Sequence, residues 1–303
     1  MAASRGHWTY TSYEAILVHM DAFSRFQISS RCPGFRNLDN LLSVKINNLK
    51  IGRRLHVDDV KIKLDKIRRI APDSGERQIV WRDLQRTQPK MVYMFQAVGI
   101  RKDHDQQVIG TLVASENMRL GLIGKYFVEK FFKGNYRINT VDVGSNASKW
   151  FDYDDFISNF ALMKTAKLLI VHDCFYMFPR DFVVLPHKRV YWNCARPVSG
   201  LLKFLISVWQ RNNFPIGKRF TMPKELKRDV GVQFDFIETL PGAQKGMIEE
   251  TRGTQFPNCV TFPLTNDTEL NVYCLDTQEG EEYDEQQIYW NVEIHSKGHA
   301  QIL

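Results

Sequence analysis

The sequence lacks a long apolar run. Its most apolar stretch, LLKFLISVW at residues 201–209, is far shorter than the roughly 20 residues that a membrane-spanning helix needs. The opening MAASRGHWTYTSYEA also lacks the continuous apolar core of a secretory signal. We therefore expect a soluble, intracellular chain, cytoplasmic or nuclear, without a membrane partner.

Cysteine is sparse, and no two cysteines form a CxxC pair. The five residues are Cys32, Cys174, Cys194, Cys259 and Cys274. An odd number of scattered cysteines in a chain without an export signal predicts reduced, mostly buried thiols and no disulfide framework.

The sequence contains none of the common catalytic motifs in complete form. Residues 121–125 (GLIGK) resemble part of a P-loop, but Arg119 and Tyr126 stand where that motif needs glycine and Ser/Thr. The chain has no GxSxG elbow, no HExxH and no GxGxxG. We therefore predict no catalytic residues, no cofactor and no enzymatic activity.

The best metal-ligand candidates are His172, Cys174 and Cys194. A His-x-Cys pair on a strand places both side chains on one face, but a fourth ligand at suitable spacing is missing. Asp173 points to the other face of that strand, so a Cys–His–Asp relay does not form either. The sequence predicts no metal.

Positive charge is spread along the chain. The formal charge is +7 and the pI about 9.1, yet lysine and arginine occur singly or in pairs rather than in a block. A basic chain can bind phosphates. Nucleic-acid binding is therefore a lesser alternative, without a recognisable motif.

The first third of the chain changes character twice. Apolar residues at helical spacing predict a helical hairpin over 10–38, and period-2 alternation over 44–64 predicts an antiparallel meander. Residues 65–90 are charged and weakly periodic, which is typical of an exposed linker, and 91–114 form a predicted hairpin.

A regular alternation of helix and strand follows. Predicted strands start at residues 138, 167, 189 and 218, a pitch close to that of leucine-rich repeats; a conventional βαβ sheet is the alternative. The end is β-rich, with strands over 259–264, 269–275 and 288–295, read as a capping sheet. The predicted fold class is thus α+β or α/β: a helical segment (1–42), a β-rich segment with its linker (43–116), and a leucine-rich-repeat-like domain with a β-rich end (117–303).

Two adjacent aromatic residues, Tyr191 and Trp192, lie on one predicted strand. Neighbouring strand residues face opposite sides, so one of the two is expected to face solvent and to contact a protein partner.

The segment from Trp8 to Arg36, WTYTSYEAILVHMDAFSRFQISSRCPGFR, resembles the opening of F-box-related proteins of an expanded nematode family (F-box C-type), which carry an F-box-associated domain of unknown function. The helix at 198–209 followed by Pro215-Ile-Gly217, and the later strands at 259–263 and 269–274, are similar too. The resemblance implies binding of a Skp-type adaptor of a cullin-based ubiquitin ligase. The adaptor-binding residues would be Ile16, Leu17, Met20, Ile28, Cys32 and Phe35.

The resulting hypothesis is a non-enzymatic substrate receptor that recruits an unknown protein substrate. One alternative is an interaction domain without a ligase, in which residues 10–38 only cap the first strand layer. A nucleic-acid binder is the other.

Overall fold

The structure is a computed structural model. It describes residues 16–32, 35, 42–52, 54–70, 92–101, 105–115, 123, 126–127, 136–144, 166–172, 185–193, 200–223, 229–265, 267–275 and 288–303. The chain divides into two compact units, Met1–Ala166 (unit 1) and Lys167–Leu303 (unit 2). The predicted boundaries near residues 42 and 116 stay a prediction.

Unit 1 contains a mixed sheet and one described helix of more than a turn. Its elements are α1 (Ala22–Arg31), β1 (Val44–Ile51), β2 (Leu55–Val57), β3 (Val60–Ile70), β4 (Val92–Arg101), β5 (Asp105–Ser115) and β6 (Tyr136–Val143). The strand order is β6-β1-β2-β3-β4-β5, parallel between β6 and β1 and antiparallel elsewhere. The predicted meander and the predicted hairpin of β4 and β5 are confirmed.

The predicted linker begins too early. β3 pairs with β4 as far as Ile70 opposite Val92, so the charged residues 65–70 belong to a strand. Charged residues stand at consecutive positions here, Asp65-Lys66 and Arg68-Arg69, so no period-2 alternation marks this part of the strand. Residues 71–91 lie outside the described part of the chain.

One side chain of α1 reaches the start of the sheet. Asp21 caps the helix, accepting a hydrogen bond from the Ser24 amide at 2.9 Å. Arg25 is only 1 % exposed and donates to the carbonyl oxygens of Leu42 and Ser43 at 3.1 and 3.2 Å. The buried guanidinium therefore ties α1 to the segment that enters β1.

Unit 2 contains the larger group of strands. Its elements are β7 (Leu168–His172), β8 (Arg189–Asn193), α2 (Leu201–Arg211), β9 (Arg219–Pro223), α3 (Val230–Glu238), β10 (Gln244–Met247), a 3-10 turn (Glu249–Thr251), β11 (Asn258–Pro263), β12 (Thr268–Leu275), β13 (Tyr289–Ser296) and β14 (Gln301–Ile302). The strand order is β14-β10-β11-β12-β13-β9-β8-β7. β7, β8 and β9 are parallel, and the other neighbours are antiparallel.

The two faces of this sheet differ in chemistry because strand side chains alternate. One face is apolar and buried, with Phe220, Val260, Phe262, Leu270, Val272, Val292 and Ile294. α2 adds buried Leu201, Leu205, Ile206 and Trp209 to the core of unit 2, and α3 reaches the sheet where Phe234 packs on Trp290 at 4.8 Å. The indole of Trp290 donates to Gln233 at 2.7 Å, so its buried N–H is satisfied.

The predicted fold class is wrong. The described residues form mostly mixed β-sheet, fourteen strands in all, with three helices of nine to eleven residues and no series of strand–helix repeats. The repeat was predicted from the spacing of the strand starts, which is a distance along the chain. That spacing does not determine which strands are neighbours in the sheet. After three parallel strands, β9 pairs antiparallel with β13, which no repeat unit supplies.

The N-terminal and C-terminal parts of the prediction also need correction. Only 16–19 and α1 are helical between residues 16 and 32 of the described chain, and α1 contacts β1 and β5 rather than forming a separate F-box-like bundle. The strands at the end of the chain do not cap a solenoid, because β12 and β13 lie between β11 and β9. Between β9 and β11 the described residues also form α3 and β10.

No helix of the described residues is both long enough and apolar enough to cross a bilayer.

Candidate functional site

The six predicted adaptor-binding residues do not form one exposed cluster. Leu17 is fully buried, whereas its neighbours Ile16 and Val18 are 40 % and 57 % exposed. Met20 is half-buried. The buried Leu17 packs this segment into the core of its own unit, whereas Ile16 and Val18 are apolar residues of the described segment that face solvent.

The second predicted group is divided as well. Ile28 and Phe35 are half-buried, and Cys32 is exposed as a free thiol. Together with buried Ala22 and Arg25, they place α1 against unit 1 as an ordinary amphipathic helix. Their predicted role in adaptor binding stays a prediction.

Tyr191 and Trp192 are both buried, at 3 % and 2 % exposure. Tyr191 packs against Tyr289 at 5.7 Å, and Trp192 packs against Phe220 at 6.4 Å. β8 lies between two parallel neighbours, where strands are commonly covered on both faces. The expectation that one of them faces solvent is therefore wrong.

Of the predicted metal-ligand candidates, only His172 belongs to the described residues. The Nδ1 atom of His172 lies 3.4 Å from the side-chain amide of Asn193. Asp173, Cys174 and Cys194 lie outside the described residues.

The most elaborate polar arrangement lies on the other face of unit 2's sheet. At its centre Arg219 on β9 donates to Glu293 on β13 at 2.6 Å. The hydroxyl of Tyr273 on β12 donates to the same carboxylate at 2.7 Å, and Arg219 also contacts that hydroxyl. Adjacent strands thus bring a cation, an anion and a phenol into mutual contact.

The burial and charge of this group shift its pKa values. Burial alone would raise the pKa of Glu293, but hydrogen bonds from His295 and Tyr273 and the charge of Arg219 lower it to about 2. Burial, followed by the charge of Glu293, raises the pKa of Tyr273 well above its ordinary value. The phenol therefore stays neutral and the carboxylate ionised, an arrangement that stabilises the sheet and holds no nucleophile ready for reaction.

A second chain of hydrogen bonds crosses the same face. Asn271 accepts from Thr261 at 2.7 Å, and its amide lies 3.1 Å from Glu269 and 2.9 Å from Nδ1 of His295. Glu269 is 4 % exposed and also accepts from the backbone amides of Gly298 and Ala300. This carboxylate holds the turn between β13 and β14.

At the edge of this face stand two histidines and a carboxylate. The rings of His295 and His299 are stacked with centroids 3.8 Å apart. Nε2 of His299 lies 3.2 Å from both carboxylate oxygens of Glu250. One ligand atom from each of the three residues lies within 4.8 Å of the others, which makes them the metal-ligand group that the structure assembles among its described residues.

A different kind of surface lies on α3. Its buried face comprises Val230, Gln233, Phe234 and Ile237. On the outside, Val232 and Phe236 are 63 % and 46 % exposed, one helical turn apart. The ammonium of Lys203 on α2 lies 5.7 Å from the centre of the Phe236 ring. We call Lys203, Val232 and Phe236 the α3 patch.

Neither the polar face of unit 2's sheet nor the α3 patch was predicted from the sequence, although the polar face left a signal there. In 269–275 and 289–295, polar residues alternate with apolar ones, which is the mark of a sheet with one polar face. The α3 patch carried a weaker signal, since Val230, Val232, Phe234 and Phe236 recur at every second position, a spacing typical of a strand that does not show which face of a helix is outside.

The comparisons with known proteins add no relative. No family model, no curated protein and no solved structure matches the chain.

Proposed function

We propose that the chain is a non-enzymatic protein-interaction module that binds a partner protein at the α3 patch. The observation that carries this proposal is the pair of exposed apolar side chains, Val232 and Phe236, on a helix whose other face already fills the core. Aromatic side chains beside a charged rim supply much of the binding energy at protein interfaces.

The chemistry of the patch indicates the partner. Lys203 lies over the Phe236 ring and makes no ion pair with a carboxylate of the described residues. An amphipathic helix of a partner that carries apolar residues at i and i+4 and a nearby Asp or Glu would cover the ring and pair with the ammonium. The overall charge of +7 favours the approach of such an acidic segment.

Selection of peptides from a displayed random library against the full chain tests this proposal. We expect a consensus of apolar residues at helical spacing with an acidic residue, and a peptide of that consensus that binds the wild-type chain. Phe236→Ser and Lys203→Glu should each raise the Kd of that peptide at least about tenfold, which is the loss typical of a central contact. The control is Ile216→Ser, an exposed apolar residue, 54 % accessible, outside the patch.

Two results would contradict the proposal. One is a consensus without apolar and acidic residues. The other is an unchanged Kd in Phe236→Ser, shown by tryptophan fluorescence to be folded.

The more specific form of the proposal is a substrate receptor of a cullin-based ligase, which rests on the resemblance of residues 8–36 to F-box-related proteins. Among the described residues of this segment, Ile16 and Val18 are exposed large apolar residues, and Leu17 is buried. Charging Leu17 would damage the fold, so the informative variant is Ile16→Asp with Val18→Asp.

A pull-down with a purified Skp-type adaptor tests that role. The wild-type chain should bind, the double variant should not, and Val108→Asp, which charges another exposed residue of unit 1, 46 % accessible, should bind as the wild type does. If the wild-type chain fails to bind the adaptor, the ligase role is refuted and the α3 patch is tested separately by its peptide.

A further inference from the structure

We propose that Glu250, His295 and His299 form a binding site for a divalent transition metal. Two imidazoles and a carboxylate are donors that zinc and its neighbours accept. The ligand atoms of a tetrahedral zinc site lie about 3.3 Å apart, from bond lengths near 2.0–2.1 Å. Nε2 of His299 already lies 3.2 Å from each Glu250 oxygen, and the three donors fall within 4.8 Å.

Each of the three ligands stands on a separately supported segment. Glu250 lies in the 3-10 turn, where buried Thr251 donates to the Pro257 carbonyl at 2.7 Å. His299 lies in the turn that Glu269 holds through the amides on either side of it, Gly298 at 2.9 Å and Ala300 at 2.7 Å. His295 ends β13. The backbone positions of all three donors are therefore set before a metal arrives.

The two ring nitrogens of His295 face different partners. Asn271 uses its oxygen to accept from Thr261, so its amide N–H points at Nδ1 of His295 and that nitrogen must be an acceptor. Nε2 then carries the proton and faces Glu293 at 3.6 Å. A metal-binding histidine ordinarily donates its second N–H to such a carboxylate. A metal bound at Nδ1 of His295 would replace the hydrogen bond from the Asn271 amide. That amide would still donate to Glu269.

One of the two stacked rings, His295 or His299, must turn before both can bind the same metal ion. Their planes differ by 29° and their centroids lie 3.8 Å apart, so the in-plane lone pairs of the two rings lie in nearly parallel, stacked planes and do not yet meet at one point. His299 is the ring with room to turn, since its side chain is 30 % exposed, against 12 % for that of His295. Three protein ligands leave a fourth tetrahedral position to solvent.

Titration of the full chain with Zn²⁺ by calorimetry tests the site, with Co²⁺ absorption as a second readout of tetrahedral ligation. We expect the wild-type chain to bind Zn²⁺ with micromolar or tighter affinity. His299→Gln and Glu250→Gln should each remove one equivalent or raise its Kd at least tenfold. Both residues are partly exposed, so these variants should keep the fluorescence of the folded protein.

The control variant is His19→Gln, which removes an exposed histidine of unit 1 and should leave the zinc isotherm unchanged. The proposal is overturned if the wild-type chain binds no zinc at this affinity. It is equally overturned if His299→Gln and Glu250→Gln bind as the wild type does, which would show that the two residues form only a surface ion pair.

Discussion

The contact between Arg219, Glu293 and Tyr273 gives the sharpest prediction of stability. Glu293→Gln keeps the size of the side chain but removes the charge that accepts from Arg219 at 2.6 Å and from Tyr273 at 2.7 Å. The side chain of Glu293 is 9 % exposed and that of Arg219 is 24 % exposed. Water therefore compensates little, and Arg219 loses its carboxylate partner.

The magnitude follows from the pKa of Glu293. Its value of about 2 in the folded chain lies below the ordinary 4.5, so the unfolded state binds the proton more readily. The carboxylate's contribution is complete above about pH 4.5 and is lost as the pH falls toward 2. With 1.36 kcal/mol per pKa unit, it amounts to about 3 kcal/mol at pH 7 and about 1 kcal/mol at pH 3.

Urea unfolding at both pH values measures this difference. Trp192, Trp209 and Trp290, each no more than 2 % exposed, report on unit 2 by fluorescence. Titrating groups that do not contact Glu293 affect wild type and variant alike, so the gap between the two free energies of unfolding reports on Glu293 and its direct partners. We expect it to shrink at low pH.

The matched control removes an exposed carboxylate. Glu249 pairs with Arg252 at 3.1 Å, but their side chains are 76 % and 66 % exposed. Glu249→Gln should therefore change stability by less than about 0.5 kcal/mol. The reasoning would be refuted if Glu293→Gln lost no more stability at pH 7 than Glu249→Gln does. It would also be refuted if the loss in Glu293→Gln were the same at pH 3 as at pH 7.

Three further predictions concern single residues. Arg25→Met removes the buried donor to the carbonyls before β1, and we expect a loss of about 2 kcal/mol and faster hydrogen exchange in α1. Asp58 accepts from two amides of β1 at 2.9 Å and has φ +52°; Asp58→Ala should cost about 2 kcal/mol in urea, and Asp58→Asn clearly less. Burial raises the pKa of Cys259 to about 11, so exposed Cys32 should be alkylated in the folded chain long before Cys259; equal rates by peptide mapping would contradict this.

Most strands were predictable because their signal is local. The strand predicted to start at residue 189 begins where β8 does, and those predicted at 269–275 and 288–295 fall within one residue of β12 and β13. Alternation of side chains is a property of the extended backbone itself. It therefore survives whatever neighbours the strand acquires.

The order of the strands was not predictable in the same way. β1 pairs with β6 and β9 pairs with β13 across long intervening sequence, and no local pattern encodes these pairings. The pitch of 22 to 29 residues between predicted strand starts suited a repeat and a βαβ sheet equally. Reading it as a repeat produced the wrong fold class.

The candidate sites show the same division. A resemblance pointed to Ile16 and Leu17 as a pair, and only burial separates the exposed residue from the buried one. Adjacent Tyr191 and Trp192 do face opposite ways, yet both sides of β8 are covered. Exposure depends on what packs above a residue, which a single strand does not specify.

The sequence by itself determined where this chain is extended, which residues of each strand share a face, and that the last strands combine a polar face with an apolar one. Only the tertiary structure decided which strands are neighbours, that the polar face is buried, and that Glu250, His295 and His299 meet although 45 residues separate the first two. The physical reason is range. Backbone geometry acts between adjacent residues, whereas ion pairs, burial and ligand clusters depend on contacts that form only when distant strands pair.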